Sequence, residues 1–181
     1  MMHRCSEDRE NTEVCIGLGS NINPELHIEN ALDHLSKHCA LIAISSFYRT
    51  KAIGRPEQPD YLNGAVLILT HYAPGELKNT VLNKIETIEG RKRSLERYAA
   101  RTLDLDILLY GELIVTETGL IIPDPDIQER SFLQAALREL STRITSADML
   151  CLLDEQLNRC AVQHLQPDVL FTRKMQERYC P

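Results

Sequence analysis

Apolar and acidic residues alternate through Leu103-Asp104-Leu105-Asp106-Ile107, and an unbroken apolar run then continues to Leu109. A period of two is the mark of a β-strand, which throws successive side chains to opposite faces. Leu103, Leu105 and Ile107 are therefore expected to face a core, with Asp104 and Asp106 side by side on the other face. Other strands are expected at residues 14–18, at 41–48, where β-branched residues alternate loosely, and at 66–70, entered through 60–65. Helical spacing links Ile28, Ala31, Leu32, Leu35 and Cys39 behind Asn23-Pro24, an N-cap candidate followed by proline in the first turn. It also links Leu77, Val81, Ile85 and Ile88 behind Pro74, in a helix that Gly90 stops. A third helix is predicted over residues 131–140. Residues 50–59 carry Gly54, Pro56 and Pro59 and read as a long loop. Short edge elements are expected at 112–115 and 120–123, followed by the rigid turn Pro123-Asp124-Pro125-Asp126.

The order β-α-β-β-α-β predicts an α+β, ferredoxin-like sandwich in which helices cover an antiparallel sheet. The expected division is a polar N-terminal tail over residues 1–13, one domain over 14–166, and a C-terminal tail over 167–181. Pro167 marks the expected end of the packed core. No internal repeat or low-complexity segment interrupts the pattern.

A chain of 181 residues suits a single core of good size. With a net charge of −6 and a pI near 5.5, a general binder of nucleic acid or anionic membrane is not expected. The polar start reads as no secretory signal, and no apolar run is long enough for a membrane span. Six cysteines, with no C-x-x-C pair and no matching histidine spacing, suggest reduced thiols in a cytoplasmic protein and no zinc site.

Candidate chemistry gathers around Asp104 and Asp106. Two carboxylates about 6–7 Å apart on one strand face repel each other unless a cation lies between them. Mg²⁺ is commonly held by one or two carboxylates, with substrate phosphates completing its octahedron. A half-exposed strand that carries Asp twice is the plainer alternative. Upstream, residues 91–101 hold five cations and one acid. That run is either a solvated loop or a set of phosphate partners feeding the acidic strand. Glu86 lies near a helix C-terminus, where an acid opposes the helix dipole. An ion pair with Arg91 or Lys84 would account for it.

Five motifs occur in order: Gly19-Ser20-Asn21, Ser45-Ser46-Phe47-Tyr48-Arg49-Thr50, Gln58-Pro59-Asp60-Tyr61-Leu62-Asn63, Gly90-Arg91-Lys92-Arg93 and Arg101-Thr102-Leu103-Asp104-Leu105-Asp106. In this the chain resembles the 6-hydroxymethyl-7,8-dihydropterin pyrophosphokinase family of folate biosynthesis over roughly residues 14–140. The resemblance implies transfer of diphosphate from ATP to the pterin hydroxymethyl group, with AMP released. It implies two Mg²⁺ ions on Asp104 and Asp106, with ATP as co-substrate and a monomeric enzyme. Catalysis would fall to Arg91, Arg93, Asp104 and Asp106. Nucleotide contacts would come from Glu86, Arg91, Arg93, Arg101, Ile107 and Arg130. Tyr61 and Phe132 would sandwich the pterin, with Asn63, Thr50 and Ile53 reading its edge. Core packing is the plainer role for the two rings.

The chain also departs from the family pattern. Asp124 stands where the family usually has a histidine that contacts the ATP phosphates. It could add a metal ligand or lean towards Arg130. Tyr98 and Ala99-Ala100 replace a Trp and a Gly-Pro pair, and the segment beyond about Leu150 has no clear counterpart. These changes keep open a weakened or non-catalytic member that binds nucleotide or pterin. An RNA-binding module of the same topology fits less well, since the aromatic strand motif and positive charge are missing.

Overall fold

The computed structural model describes residues 11–91, 99–157 and 165–180. Strand β1, Thr12–Ser20, lies in the middle of the sheet. It pairs antiparallel with β4, Tyr61–Thr70, on one side and with β5, Asp104–Tyr110, on the other. β2, Ala40–Ile44, pairs with the far end of β4, so the order is β2-β4-β1-β5. This is the antiparallel ferredoxin-like plan. The strand expected at 41–48 is in fact two: β3, Tyr48–Thr50, joins the near end of β4 after a break at Ser45-Ser46-Phe47. At the break the Phe47 ring lies hard against Gly64, where any Cβ would meet it at 2.6 Å.

One face of the sheet carries α1, Pro24–Leu35, and a second helical rod over residues 74–88. Leu103, Leu105 and Ile107 enter this core with Ile28, Leu32, Leu35, Leu77 and Ile85, as their periodicity required. The other face is covered by α5, Ser131–Ser141, and α6, Ala147–Leu157, which pack on Leu67, Leu108 and Leu109. A four-residue turn of helix, α4 (Asp126–Glu129), precedes α5, and the hairpin β6 (Val115–Glu117) and β7 (Leu120–Ile122) stands apart from the main sheet.

Three details differ from the sequence reading. Asn23 does sit at the start of α1, but in the left-handed region and without a side-chain cap bond, so Pro24 rather than the amide sets that start. Ile88 is 55% exposed rather than buried. The rod runs as α2 (Pro74–Glu76), a π-helical turn over Leu77–Leu82, and α3 (Asn83–Ile88), with the Asn83 N–H bonding back to Lys78 O. One extra residue in a turn rotates everything after it by about 100°. Glu86 and Glu89 therefore turn inward and Ile88 turns out. Glu89 then lies between the helices, receiving Asn30 Nδ2 at 3.1 Å and facing His27 Nδ1 at 2.7 Å.

The third difference concerns the C-terminus. Packing continues past Pro167 into α7, Val169–Tyr179, with Phe171 and Met175 in the core. The mean hydropathy of that stretch is low, so its few inward positions are hard to see from the pattern alone. No helix among the described residues is long and apolar enough to cross a membrane.

Candidate functional site

Strand β5 has β1 on one side only, so its outer edge offers unpaired backbone groups. At Leu105 both are taken by the helical rod. The N–H donates to Glu86 Oε1 at 2.8 Å, and Lys78 Nζ donates to the carbonyl oxygen at 2.7 Å. These contacts draw the rod against the acidic strand and fix where its polar side chains emerge.

The acids meet cations there. Lys78 Nζ lies 2.7 Å from Asp106 Oδ1, and Arg91 Nη1 lies 2.5 Å from Asp104 Oδ1. Arg91 also grips Glu86, and Arg101 pairs with the second oxygen of Asp104. Together with the 117–120 turn, Lys78, Glu86, Arg91, Arg101 and Asp106 line a cleft of about 500 Å³, with Asp104 paired to two of its cations. Burial pushes the Glu86 carboxyl above its ordinary range, against the pull of the Leu105 N–H and Arg91. Burial and then the Asp106 charge push Asp104 the same way, while Arg91 and Arg101 oppose the shift.

Asn21 links this cleft to the neighbouring loop. Its carboxamide oxygen accepts the Arg101 N–H at 2.8 Å, and its amide donates to Gln58 Oε1 at 3.1 Å and towards Pro59 O at 3.4 Å. Two residues earlier, Gly19 leaves room for Asn63, whose Oδ1 would stand 2.7 Å from any Cβ there. Asn63 in turn donates to Thr50 Oγ1 at 2.8 Å, joining β4 to β3.

Comparison with known proteins agrees with this geometry. Residues 15–142 match the model of the family described as 7,8-dihydro-6-hydroxymethylpterin-pyrophosphokinase, or HPPK. The chain belongs to that family. A relative from Haemophilus influenzae named 2-amino-4-hydroxy-6-hydroxymethyldihydropteridine pyrophosphokinase is 42% identical over 130 residues, covering 70% of this chain and 80% of that protein. One of the same name from Pseudomonas aeruginosa is 36% identical over 138 residues, covering 75% and 84%. A Plasmodium falciparum HPPK-DHPS triple mutant solved with STZ-DHP superposes with a TM-score of 0.60 at 14% identity, over 85% of this chain and 45% of that one. At that identity it speaks for the fold alone.

Within the HPPK frame, the structure brings Glu86, Arg91, Arg101, Asp104 and Asp106 together. Arg93 and Tyr98 lie outside the described residues. Ile107 has its side chain in the core at 3% exposure, which leaves only its backbone for a ligand. Tyr61 is half-buried, and the charges its phenol feels are those of Arg101, Asp104, Arg91 and Arg130, which sets the ring beside the cleft. Phe132 packs partly against the second core, and Ile53 is exposed. Arg130 pairs with Asp126 at 3.3 Å, so Asp124 does not lean on it. Asp124 instead accepts the Asp126 N–H at 2.8 Å within its own turn. Burial, with the charges of Asp106 and Asp126, pushes its carboxyl up to about 6.

Two participants escaped the sequence reading. Asn21 stood in a quoted motif, but its role is to bind two distant segments, at 58–59 and at Arg101. Lys78 had no signal beyond a cation beside an apolar helical stripe.

Proposed function

We propose that the protein transfers the diphosphate of ATP to the hydroxymethyl group of 6-hydroxymethyl-7,8-dihydropterin, forming the pterin diphosphate and AMP for folate biosynthesis. The observation that carries this reading is the meeting of Asp104 and Asp106 with Lys78, Arg91 and Arg101 at one cleft on the free edge of β5, in a chain of the HPPK family. That arrangement pairs metal-ready oxygens with phosphate-ready cations.

The donor set fits Mg²⁺. It offers hard carboxylate oxygens, from Asp104 and Asp106. Mg²⁺ is content with one or two carboxylates when phosphate oxygens fill its other positions. Asp104 and Asp106 would hold the two ions, which would supply positive charge to neutralise the phosphates there. Arg91 and Arg101 would release their carboxylates to bind phosphate through their planar forks, joined by Arg93 and Arg130. Glu86 would keep Arg91 aimed, and the Ile107 backbone would border the nucleotide.

On the other side of the cleft, Tyr61 and Phe132 would cover the pterin faces. Asn63 and the backbone from Thr50 to Ile53 would pair its edge. The pterin hydroxyl oxygen then bonds to the β-phosphorus as the bond from that phosphorus to the α,β-bridging oxygen breaks. AMP leaves with that oxygen, and the hydroxyl proton passes to solvent. Such a transfer rests on positioning and charge stabilisation rather than on a strong base.

The reading carries a cytoplasmic setting and a monomer with it. The decisive experiment follows AMP release from Mg-ATP with and without the pterin, in wild type and in Asp104→Ala. AMP that depends on the pterin and vanishes in the variant is the expected result. A folded protein that binds either substrate yet never releases AMP would reduce the chain to a binding module.

A further inference from the structure

Lys78 is held where a regular helix could not hold it. Lys78 and Glu86 are eight residues apart, which in an α-helix puts them about 80° apart around the axis. The extra residue of the π-helical turn over Leu77–Leu82 makes their spacing equivalent to seven, and the two then lie within about 20°. Both consequently reach Leu105 on β5, one at its carbonyl and the other at its N–H. Lys78 is left with its ammonium against Asp106 and a side chain only 18% exposed, on the wall of the cleft.

Among the described residues, the directly paired groups here balance in charge. Glu86, Asp104 and Asp106 supply three negative charges, and Lys78, Arg91 and Arg101 supply three positive ones. A divalent cation entering alone meets an ammonium already on Asp106 and raises the local charge by two. A nucleotide triphosphate entering with the cation brings anionic oxygens to which Lys78 can turn on its flexible four-carbon stem. Asp106 is then free for the metal.

Resting on the reading of Asp106 as a metal ligand, we infer that Lys78 is a further ligand-binding residue that occupies Asp106 in the empty site and exchanges it for phosphate. Its consequence is coupling: divalent metal loads with the nucleotide rather than before it. Asp124 lies within the electrostatic reach of both Lys78 and Asp106.

The test measures binding without turnover. Mn²⁺ is titrated alone by electron paramagnetic resonance, and Mg²⁺ with α,β-methylene-ATP by calorimetry, in wild type, Lys78→Met, Lys78→Arg and Asp106→Asn. Lys78→Met should bind Mn²⁺ alone about tenfold more tightly and the Mg-nucleotide analogue about tenfold more weakly. Lys78→Arg should resemble wild type. A merely structural lysine would weaken both ligands together, so opposite shifts are the signature. Should Lys78→Met not fold, Lys78→Gln removes the charge while keeping a donor for the Leu105 carbonyl and gives the same readout. Unchanged Mn²⁺ affinity in a folded, uncharged variant overturns the inference. Separately, equal Mg-nucleotide binding by Asp106→Asn and wild type would sink the metal reading itself.

Discussion

The two edges of the sheet are closed by different means. At β5 the closure is ionic: Lys78, Glu86 and Arg91 hold the strand through ion pairs and side-chain bonds to one backbone position. At the β2 and β3 edge, α7 closes the sheet mainly with rings and neutral hydrogen bonds, beside one ion pair of Arg49 on β3 with Asp168 at 2.8 Å. Phe171 packs edge-on against Phe47 with centroids 5.1 Å apart, and Thr172 Oγ1 accepts the buried Phe47 N–H at 2.8 Å. Asp168 N–H donates to Phe47 O at 2.7 Å, and Gln176 Nε2 to Ile44 O at 2.8 Å. A partly exposed ion pair can trade its partner for a ligand at small net cost. A buried ring and a satisfied buried N–H cannot, because parting them leaves a cavity or an orphan donor. The ligand end is thus made of exchangeable contacts and the far edge of fixed ones. The fixed edge uses residues beyond the 15–142 stretch shared with the HPPK family.

The sharpest way to break this comparison is to cut one contact at each end. Asp104→Ala should lower turnover by about 10³-fold or more while moving the unfolding free energy by only about 1 kcal/mol, since Arg91 keeps Glu86 as a partner. Phe171→Ala should do the reverse. It should cost about 3–4 kcal/mol in denaturant unfolding, with turnover of the folded fraction at low temperature held within about threefold. Equal losses of activity and stability in both variants would erase the distinction between the edges.

A smaller effect tests the fixed edge from the β4 side. Gly64→Ala forces a Cβ to within 2.6 Å of the Phe47 ring and should cost about 1–3 kcal/mol. A Phe47→Leu change in the same chain should recover part of it.

The smallest effect belongs to the ionic end. The folded-state value of Asp124, near 6, lies above its unfolded one, so the native state binds the proton more tightly. Through this group stability is greatest at low pH, falls as pH rises from about 4 to about 6, and is flat above that. Asp124→Asn should remove about 1 kcal/mol of that slope after allowance for partial exposure, read as the difference between wild-type and variant urea midpoints at pH 4.5 and 7. An unchanged difference would mean that Asp124 is not held away from solvent by its turn.

Much of this was legible along the chain because it depends on short periods. The alternation at 103–107 placed three side chains in the core and two acids at the cleft without reference to any other segment. Helical spacing placed Ile28, Leu32, Leu77 and Ile85 inside, and failed at Ile88, where the π-helical turn shifts the phase. An inserted residue leaves no mark in composition. It shows only as a stripe that stops fitting. The C-terminal helix was missed for a related reason, since its buried positions are few and spaced among charges.

By itself, then, the sequence determined the layered α+β plan and the chemical character of the cleft, because local periodicity and residue type decide which face is wet and which atoms can hold a phosphate or a metal. Tertiary structure alone decided the pairings. It set Lys78 on Asp106, Asp104 against the Arg91 that also holds Glu86, Asn21 between two loops, and α7 on Phe47. Those partners are between 28 and 125 positions apart, except where Arg91 meets Glu86 at five and Asp104 at thirteen. Contacts at such separations exist only once the sheet and its helices have closed around a shared core, and no local pattern encodes which of several like charges will be nearest.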